Sequence, residues 1–171
     1  AAPVQIGTST NWETLHLGRW ETCATRSDRT LWCWGRGPTT PSQVGTDVWE
    51  AVSVGVNHKC GLQIDGTLWC WGSGSDGQLG IGTTSASTVP VPVGTDTDWT
   101  AVAVGGFHSC GLKTDTSLWC WGSNDDGQVG NDSSMDQLTP VSLGSGVRVP
   151  NSARTSGSSS TAPMQRRPYS E

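Results

Sequence analysis

Three kinds of residue in this 171-residue chain have types and spacings suited to chemistry: paired cysteines, histidines beside them, and aspartates in two similar loops. The cysteines fall as Cys23 with Cys33, Cys60 with Cys70, and Cys110 with Cys120, ten positions apart each time. Such pairs either close as disulfides, which belong to oxidising compartments, or hold zinc as thiolates. Structural zinc sites use C-x2-C spacing or paired histidines, and neither occurs here, so three disulfides are expected. His58 and His108 each stand two residues before a cysteine, followed at once by Lys59 or Ser109. A catalytic base needs an oriented partner and a nucleophile nearby. Repetition of the pattern predicts instead a structural histidine that hydrogen-bonds across its sheet; His16 has no readable role.

The loops SGSDGQLG and SNDDGQVGND cluster Asp76, Asp125, Asp126 and Asp132 and so invite a calcium reading. An EF-hand requires ligands at alternate positions and a distal glutamate, which these loops lack, so polar turns are expected. Asp76, Gln78, Asp125, Asp126 and Gln128 are the candidate partner-facing residues. No P-loop, dinucleotide fingerprint, nucleophile elbow or HExxH motif is present. No catalytic residue, cofactor or metal site is therefore expected.

These residues recur because the chain repeats itself. GVNHKCGLQIDGTLWCWGSGSDGQLG from Gly55 returns as GGFHSCGLKTDTSLWCWGSNDDGQVG from Gly105, and in eroded form from Gly18. Ahead of each copy runs a Trp-led segment, WETLHLG, WEAVSVG or WTAVAVG, and ahead of that a Pro-led one, PVQIG, PSQVG or PVPVG. Units thus start near residues 3, 41 and 90, with a truncated fourth start, PVSLG, at Pro140. The short first unit lacks the dozen residues that carry GQLG in the second. Each unit offers four short strands separated by turns of Gly, Asp, Ser and Thr, and no window has a sustained helical period. Four strands per 40 to 50 residues predicts an all-β chain folded as a partial, open β-propeller of about three four-stranded blades.

Strand register makes the cysteine reading specific. A three-residue hairpin loop at Ile64, Asp65 and Gly66, with the glycine left-handed, sets Leu62 against Leu68 and Cys60 against Cys70. Counting outward puts the cysteines at a non-hydrogen-bonded pair, about 4.5 Å between Cα atoms, within reach of a disulfide. Arg29 and Thr116 stand where Gly66 does, so the same loop requires a positive φ at both. In LWCW, Leu68 and Cys70 point to one face and Trp69 and Trp71 to the other. Neither face tolerates water, so stacked neighbouring blades must cover both.

Charged residues make up 15% of the chain, and its net charge is −5. Residues 1–146 hold 6 basic and 14 acidic side chains, a balance that repels nucleic acid. Residues 147–171, rich in Ser, Pro, Thr and Arg, are expected to form a disordered tail. No run is long and apolar enough to span a membrane. Ten tryptophans stand beside one Phe and one Tyr, and most recur at equivalent repeat positions, as core residues would. Trp20 is outside that pattern.

The second and third repeats resemble the regulator of chromosome condensation family, in the Gly, the His, the hairpin, the aromatic-x-Trp-Gly and the closing GQLG. The likeness spans residues 3 to 144 and is weakest in the first unit, where Glu21 replaces the His. It implies a propeller, usually of seven blades, in which the GQLG glutamine helps to knit the blade. The paired cysteines depart from the nuclear members and are similar to a secreted or surface-attached bacterial branch. The expected function is non-enzymatic protein binding in an extracellular or periplasmic setting. A lectin using Trp20 is the alternative, and guanine nucleotide exchange, the activity of the eukaryotic namesake, stands behind both. Three blades do not close a ring, so either the remainder of a longer polypeptide or a homo-oligomer is expected to cover the end blades.

Overall fold

The computed structural model describes residues 2–145, and the expected disordered tail at 147–171 lies outside them. Among the described residues eleven antiparallel strands form three blades. The first blade holds β1 (Trp12–Leu17), β2 (Glu21–Arg26), β3 (Thr30–Gly35) and the leading part of β4 (Ser42–Val54). The rest of β4 opens the second blade, which continues through β5 (His58–Gln63), β6 (Leu68–Gly72) and β7 (Ser87–Pro92). The third holds β8 (Trp99–Val104), β9 (His108–Lys113), β10 (Ser117–Gly122) and β11 (Gln137–Ser145).

Blades and sequence repeats are out of phase by one strand. The Pro-led segments at Pro41, Pro90 and Pro140 are each the outer strand of the blade before them, since Trp32 pairs with Gln43, Trp69 with Pro92, and Trp119 with Ser142, whereas PVQIG at Pro3, expected as a strand, forms none. PVSLG at Pro140 therefore completes the third blade. The 13-residue β4 shows how the chain passes on, pairing with β3 by its first half and with β5 by its second.

The hairpins have the register that the cysteines require. Cys23 opposes Cys33, Cys60 opposes Cys70 and Cys110 opposes Cys120, and each pair is a disulfide with Cα atoms 4.1 Å apart. Gly66, Arg29 and Thr116 all take positive φ, at 81°, 64° and 67°. For the two non-glycines this conformation costs roughly 1–2 kcal/mol, and a repeated polar relay offsets it. Asp65 accepts from the Thr67 amide at 3.0 Å and hydroxyl at 2.7 Å, while the Trp69 indole donates to the same hydroxyl at 2.8 Å. Asp28, Thr30 and Trp32 repeat it. In the third blade Asp115 accepts from the Ser117 amide, and Trp119 donates to the Ser117 hydroxyl. Hydrogen bonds from the residue two positions on hold Asp28, Asp65 and Asp115 below the ordinary carboxylate value of 3.8.

Each blade has a tryptophan face toward the preceding blade and a cysteine-leucine face toward the following one. Cys23, Leu31 and Cys33 of the first blade pack with Trp49, Val52 and Trp71 of the second. Cys60, Leu62, Leu68 and Cys70 of the second pack with Trp99 and Trp121 of the third. Neighbouring blades thus cover both faces of LWCW at the centre of the molecule. Gly61 lets the Trp49 indole lie flat on β5, since a Cβ there would sit 2.6 Å from the ring. The substitution Gly61→Ala is expected to destabilise the protein by about 1–3 kcal/mol through overpacking. Chemical denaturation followed by tryptophan fluorescence will measure it, and an unchanged midpoint would refute this account of Gly61.

At the inner edge the strands approach backbone to backbone. A Cβ on Gly18 would lie 2.5 Å from the Gly55 carbonyl oxygen, and one on Gly55 would lie 2.4 Å from that of Gly105. Glycine at the end of each Trp-led strand is what lets the blades converge.

Candidate functional site

Among the described residues, a histidine beside a serine at the joint between the second and third blades is the one arrangement that resembles a catalytic pair. His58 Nε2 lies 2.9 Å from Ser109 Oγ, and both residues are buried. The Ser109 hydroxyl donates to the Gln78 carbonyl at 3.0 Å, which commits its only proton. His58 must then donate through Nε2, the wrong tautomer for a base that would take the serine proton. Trp121 Nε1 donates to the same carbonyl at 2.9 Å, sealing the serine from solvent. This is a structural joint, and the histidine bonds to the next blade rather than across its own sheet.

Burial, with a smaller contribution from His108, lowers the His58 pKa to about 4; Asp76 opposes the shift and Lys59 adds to it. Between about 4 and the ordinary 6.5 the unfolded chain binds more protons than the folded one. Stability is therefore full above pH 6.5 and falls as pH drops toward 4, by up to about 3 kcal/mol. Thermal melts across that window should show this decline in the wild-type chain and much less of it in His58→Gln. Equal slopes in the two proteins would assign the effect elsewhere.

The loop after β6 supplies the carbonyl and wedges into the third blade. Gln78 and Leu79 are fully buried, and Gly80 has no room for a side chain beside the Trp121 indole. Gln78 Oε1 accepts from the Asp76 amide at 2.8 Å, tying the loop to itself. Gln78 thus leaves the partner-facing set for a physical reason: its side chain is spent inside the joint. Asp76 and Gln128 are half-buried, while Asp125 and Asp126 are exposed. The third-blade loop is organised by buried Asn124, whose amide donates to Asn131, Ser133 and Met135 and whose oxygen accepts from Val129. At the matching position the second blade has Gly74, where a Cβ would be 2.1 Å from the Ser85 carbonyl. Among the described residues no three His, Cys, Asp or Glu side chains form a group able to hold a metal ion.

The same end of the blades presents three short inner loops. Each is closed by a glycine amide bonded to the carbonyl three residues on, Gly18 to Glu21, Gly55 to His58 and Gly105 to His108. Their tips read Arg19-Trp20, Val56-Asn57 and Gly106-Phe107. Trp20 is 55% exposed and Phe107 46%, in contrast to the buried tryptophans of the frame. The Arg19 guanidinium lies 4.9 Å from the Trp20 ring. A cleft of about 560 Å³ is bordered by Trp20, Gly35, Arg36 and Asn57, with Arg36 donating to Asn57. Sequence reasoning singled out Trp20 but missed Phe107, Arg36 and Asn57. For Asn57 and Phe107 the signal is the variable dipeptide ahead of the repeated His; Arg36, just after the LWCWG strand, has no such signal.

Four-stranded antiparallel blades, stacked tryptophan face on cysteine face and converging at glycines, define a β-propeller segment. The chain belongs to the regulator of chromosome condensation (RCC1) repeat family, whose repeat matches residues 65–112 and 115–162 and, in a second description, 49–78 and 99–128. Prp20p from Saccharomyces cerevisiae, described with its binding to Gsp1p and histones, is similar in structure with a TM-score of 0.72 and 19% identity. That likeness covers 78% of this chain and 38% of Prp20p. Human WBSCR16 is similar with a TM-score of 0.68 and 19% identity, over 78% of this chain and 39% of that one. At this identity the likeness shows the fold alone, and this chain spans less than two-fifths of the length of either relative. Comparison with curated proteins finds no match. No helix among the described residues is long and apolar enough to cross a membrane.

Proposed function

We propose that the chain is a non-enzymatic protein-binding module of an extracellular or periplasmic compartment, and that the inner-loop end around Trp20 and Phe107 meets the partner. The observation that carries this reading is the exposure of those two aromatics on loop tips that differ between repeats, above a frame that repeats. Variable, solvent-exposed loops on a rigid scaffold are where recognition resides, and aromatic anchors supply most of its energy. Three disulfides support an oxidising setting. Protein partners in the description of Prp20p support protein binding as a use of this fold. The excess of acidic side chains disfavours nucleic acid.

A second reading has one observation in its favour: the cleft of Trp20, Arg36 and Asn57 offers a stacking face beside polar groups, as sugars require. One experiment separates the two. Wild-type chain and the Trp20→Ala/Phe107→Ala variant are screened against purified extracellular proteins and a glycan array. A protein ligand whose affinity falls at least ~10-fold in the variant, with melting unchanged, supports the proposal. Glycan binding that disappears in Trp20→Ala, with no protein bound, replaces it by the lectin reading. Binding indifferent to both substitutions removes this face from the function.

A further inference from the structure

The two joints between blades are built alike but filled differently. At the second joint the loop after β6, residues 73–86, lies in the groove between the blades. Its Gln78 carbonyl accepts from Trp121 and Ser109, Leu79 is fully buried, and the Gly82 amide donates to the Leu138 carbonyl at 2.8 Å. Gly77 and Gly80 have no room for a Cβ against Leu138 and the Trp121 indole, so only a glycine-flanked turn fits there.

At the first joint residues 36–41 alone connect β3 to β4, and no such loop enters the groove. Both of its walls belong to blades that meet inside the chain, so this short connection sets the groove, not the outer face of the first or third blade. Lys59 pairs with Trp71 as Ser109 does with Trp121, and Ser87 pairs with Gly72 as Gln137 does with Gly122, which puts Thr88 in the place of Leu138. Among the described residues no acceptor meets the Trp71 indole nitrogen, which opens on the groove instead. Two adjoining clefts of about 450 and 590 Å³ make up the groove, and Glu21, Pro38, Lys59, Trp71 and Thr88 border both.

Charge indicates what fits. Lys59 is buried, its ammonium paired with Glu21 and 5.8 Å from the centre of the Trp71 ring, and it has further protons to donate. Arg36 donates across the joint to Asn57, and among the described residues it pairs with no carboxylate. The larger cleft therefore sets two cations and an indole donor against one carboxylate, in a chain whose net charge is −5. Arg36 and Asn57 also border the Trp20 cleft, so the groove runs on into the inner-loop end.

We infer that the groove at the first joint receives an acidic, glycine-flanked reverse turn of a partner protein. A main-chain carbonyl of that turn accepts from Trp71 Nε1 and Lys59 Nζ, as the Gln78 carbonyl does from Trp121 and Ser109. One apolar side chain is buried beside Trp71, as Leu79 is beside Trp121, and a carboxylate meets Arg36. The inference rests on the protein-binding reading above and gives that partner a chemistry.

The second-blade loop itself, made as the synthetic peptide SGSDGQLGIG, is the probe. Added to the oxidised full chain with isotope-labelled tryptophan, it should move the Trp71 indole N–H resonance saturably below about 1 mM and leave that of Trp121, already bonded, in place. Trp71→Phe identifies the resonance and, by calorimetry, should weaken binding about 5-fold through loss of one donor. Arg36→Glu should weaken it at least ~10-fold with melting unchanged. A peptide with aspartate in place of Leu79 should not bind. A Trp71 resonance that does not move overturns the inference, since the groove is then closed or filled by another part of this chain, residues 147–171 included. Binding indifferent to both Arg36→Glu and Trp71→Phe overturns it as well. A protein partner that loses affinity in Trp20→Ala/Phe107→Ala but not in Arg36→Glu leaves the proposed function standing and overturns only this inference. The reverse pattern supports the groove and removes the Trp20 and Phe107 face.

Discussion

Complete reduction of the three disulfides is expected to lower the melting temperature by roughly 15 to 30 °C, the largest change available without altering the sequence. Each bridge closes a loop of ten residues, which the chain-entropy account values at roughly 2.7 kcal/mol, or about 8 for the three. Against a total stability of about 5–15 kcal/mol, that loss leaves the reduced chain marginal or unfolded at room temperature. Hairpins that persist in the unfolded chain bring the effect toward the lower end, because part of the loop is then already closed. Order of reduction is also set by the fold. Cys23 and Cys33 are at most 5% exposed, and Cys60 and Cys70 are fully buried, whereas Cys110 lies half-buried on the outer face of the third blade. The Cys110–Cys120 bridge should be reduced first, since exchange requires access of a thiolate to sulfur. Alkylation and peptide mapping during a timed reduction will give the order, and calorimetry the shift. A chain that melts unchanged after full reduction would show that blade stacking alone holds the fold.

The hairpins were legible in the sequence because their determinants are local. Gly66 after Asp65 fixes a turn, the turn fixes register, and register sets Cys60 against Cys70; alternation in LWCW then demands cover on both faces. The Asp-x-Ser/Thr-x-Trp relay was equally present in the letters and passed unread, though it explains how Arg29 and Thr116 hold a glycine's conformation. What the sequence did not yield was long-range. A Pro-led strand reads the same whether it edges the blade before it or opens the one after, and only hydrogen bonding to Trp32, Trp69 and Trp119 decides. Gln78 looked like a loop residue because its burial is supplied by Trp121 and Ser109, more than thirty positions away. Phe107 looked like one more apolar residue in a β chain, and its exposure follows from the loop tip on which it sits.

Trp121→Ala should be the most damaging single substitution in the protein, at about 3–5 kcal/mol. The indole is fully buried, lies 6.1 Å from the Trp99 ring in an edge contact, and fills the space that Gly80 leaves open. Trp34→Ala, at the matching position on the half-buried outer face, should cost the monomer less than half as much. Trp121→Phe separates packing from hydrogen bonding. It keeps most of the ring and removes only the donor to the Gln78 carbonyl, which Ser109 still satisfies, so a loss of about 1 kcal/mol is expected beyond the change in ring size. Ser109→Ala likewise leaves that carbonyl one donor. Together the two substitutions strip a buried carbonyl of both, and the double variant should lose about 1–3 kcal/mol more than the sum of the two single losses. Denaturant midpoints for the four members of this cycle measure the coupling directly. A double variant that is merely additive would mean that the Gln78 carbonyl finds water when its protein donors are gone, and that the joint is held by indole packing rather than by its hydrogen bonds.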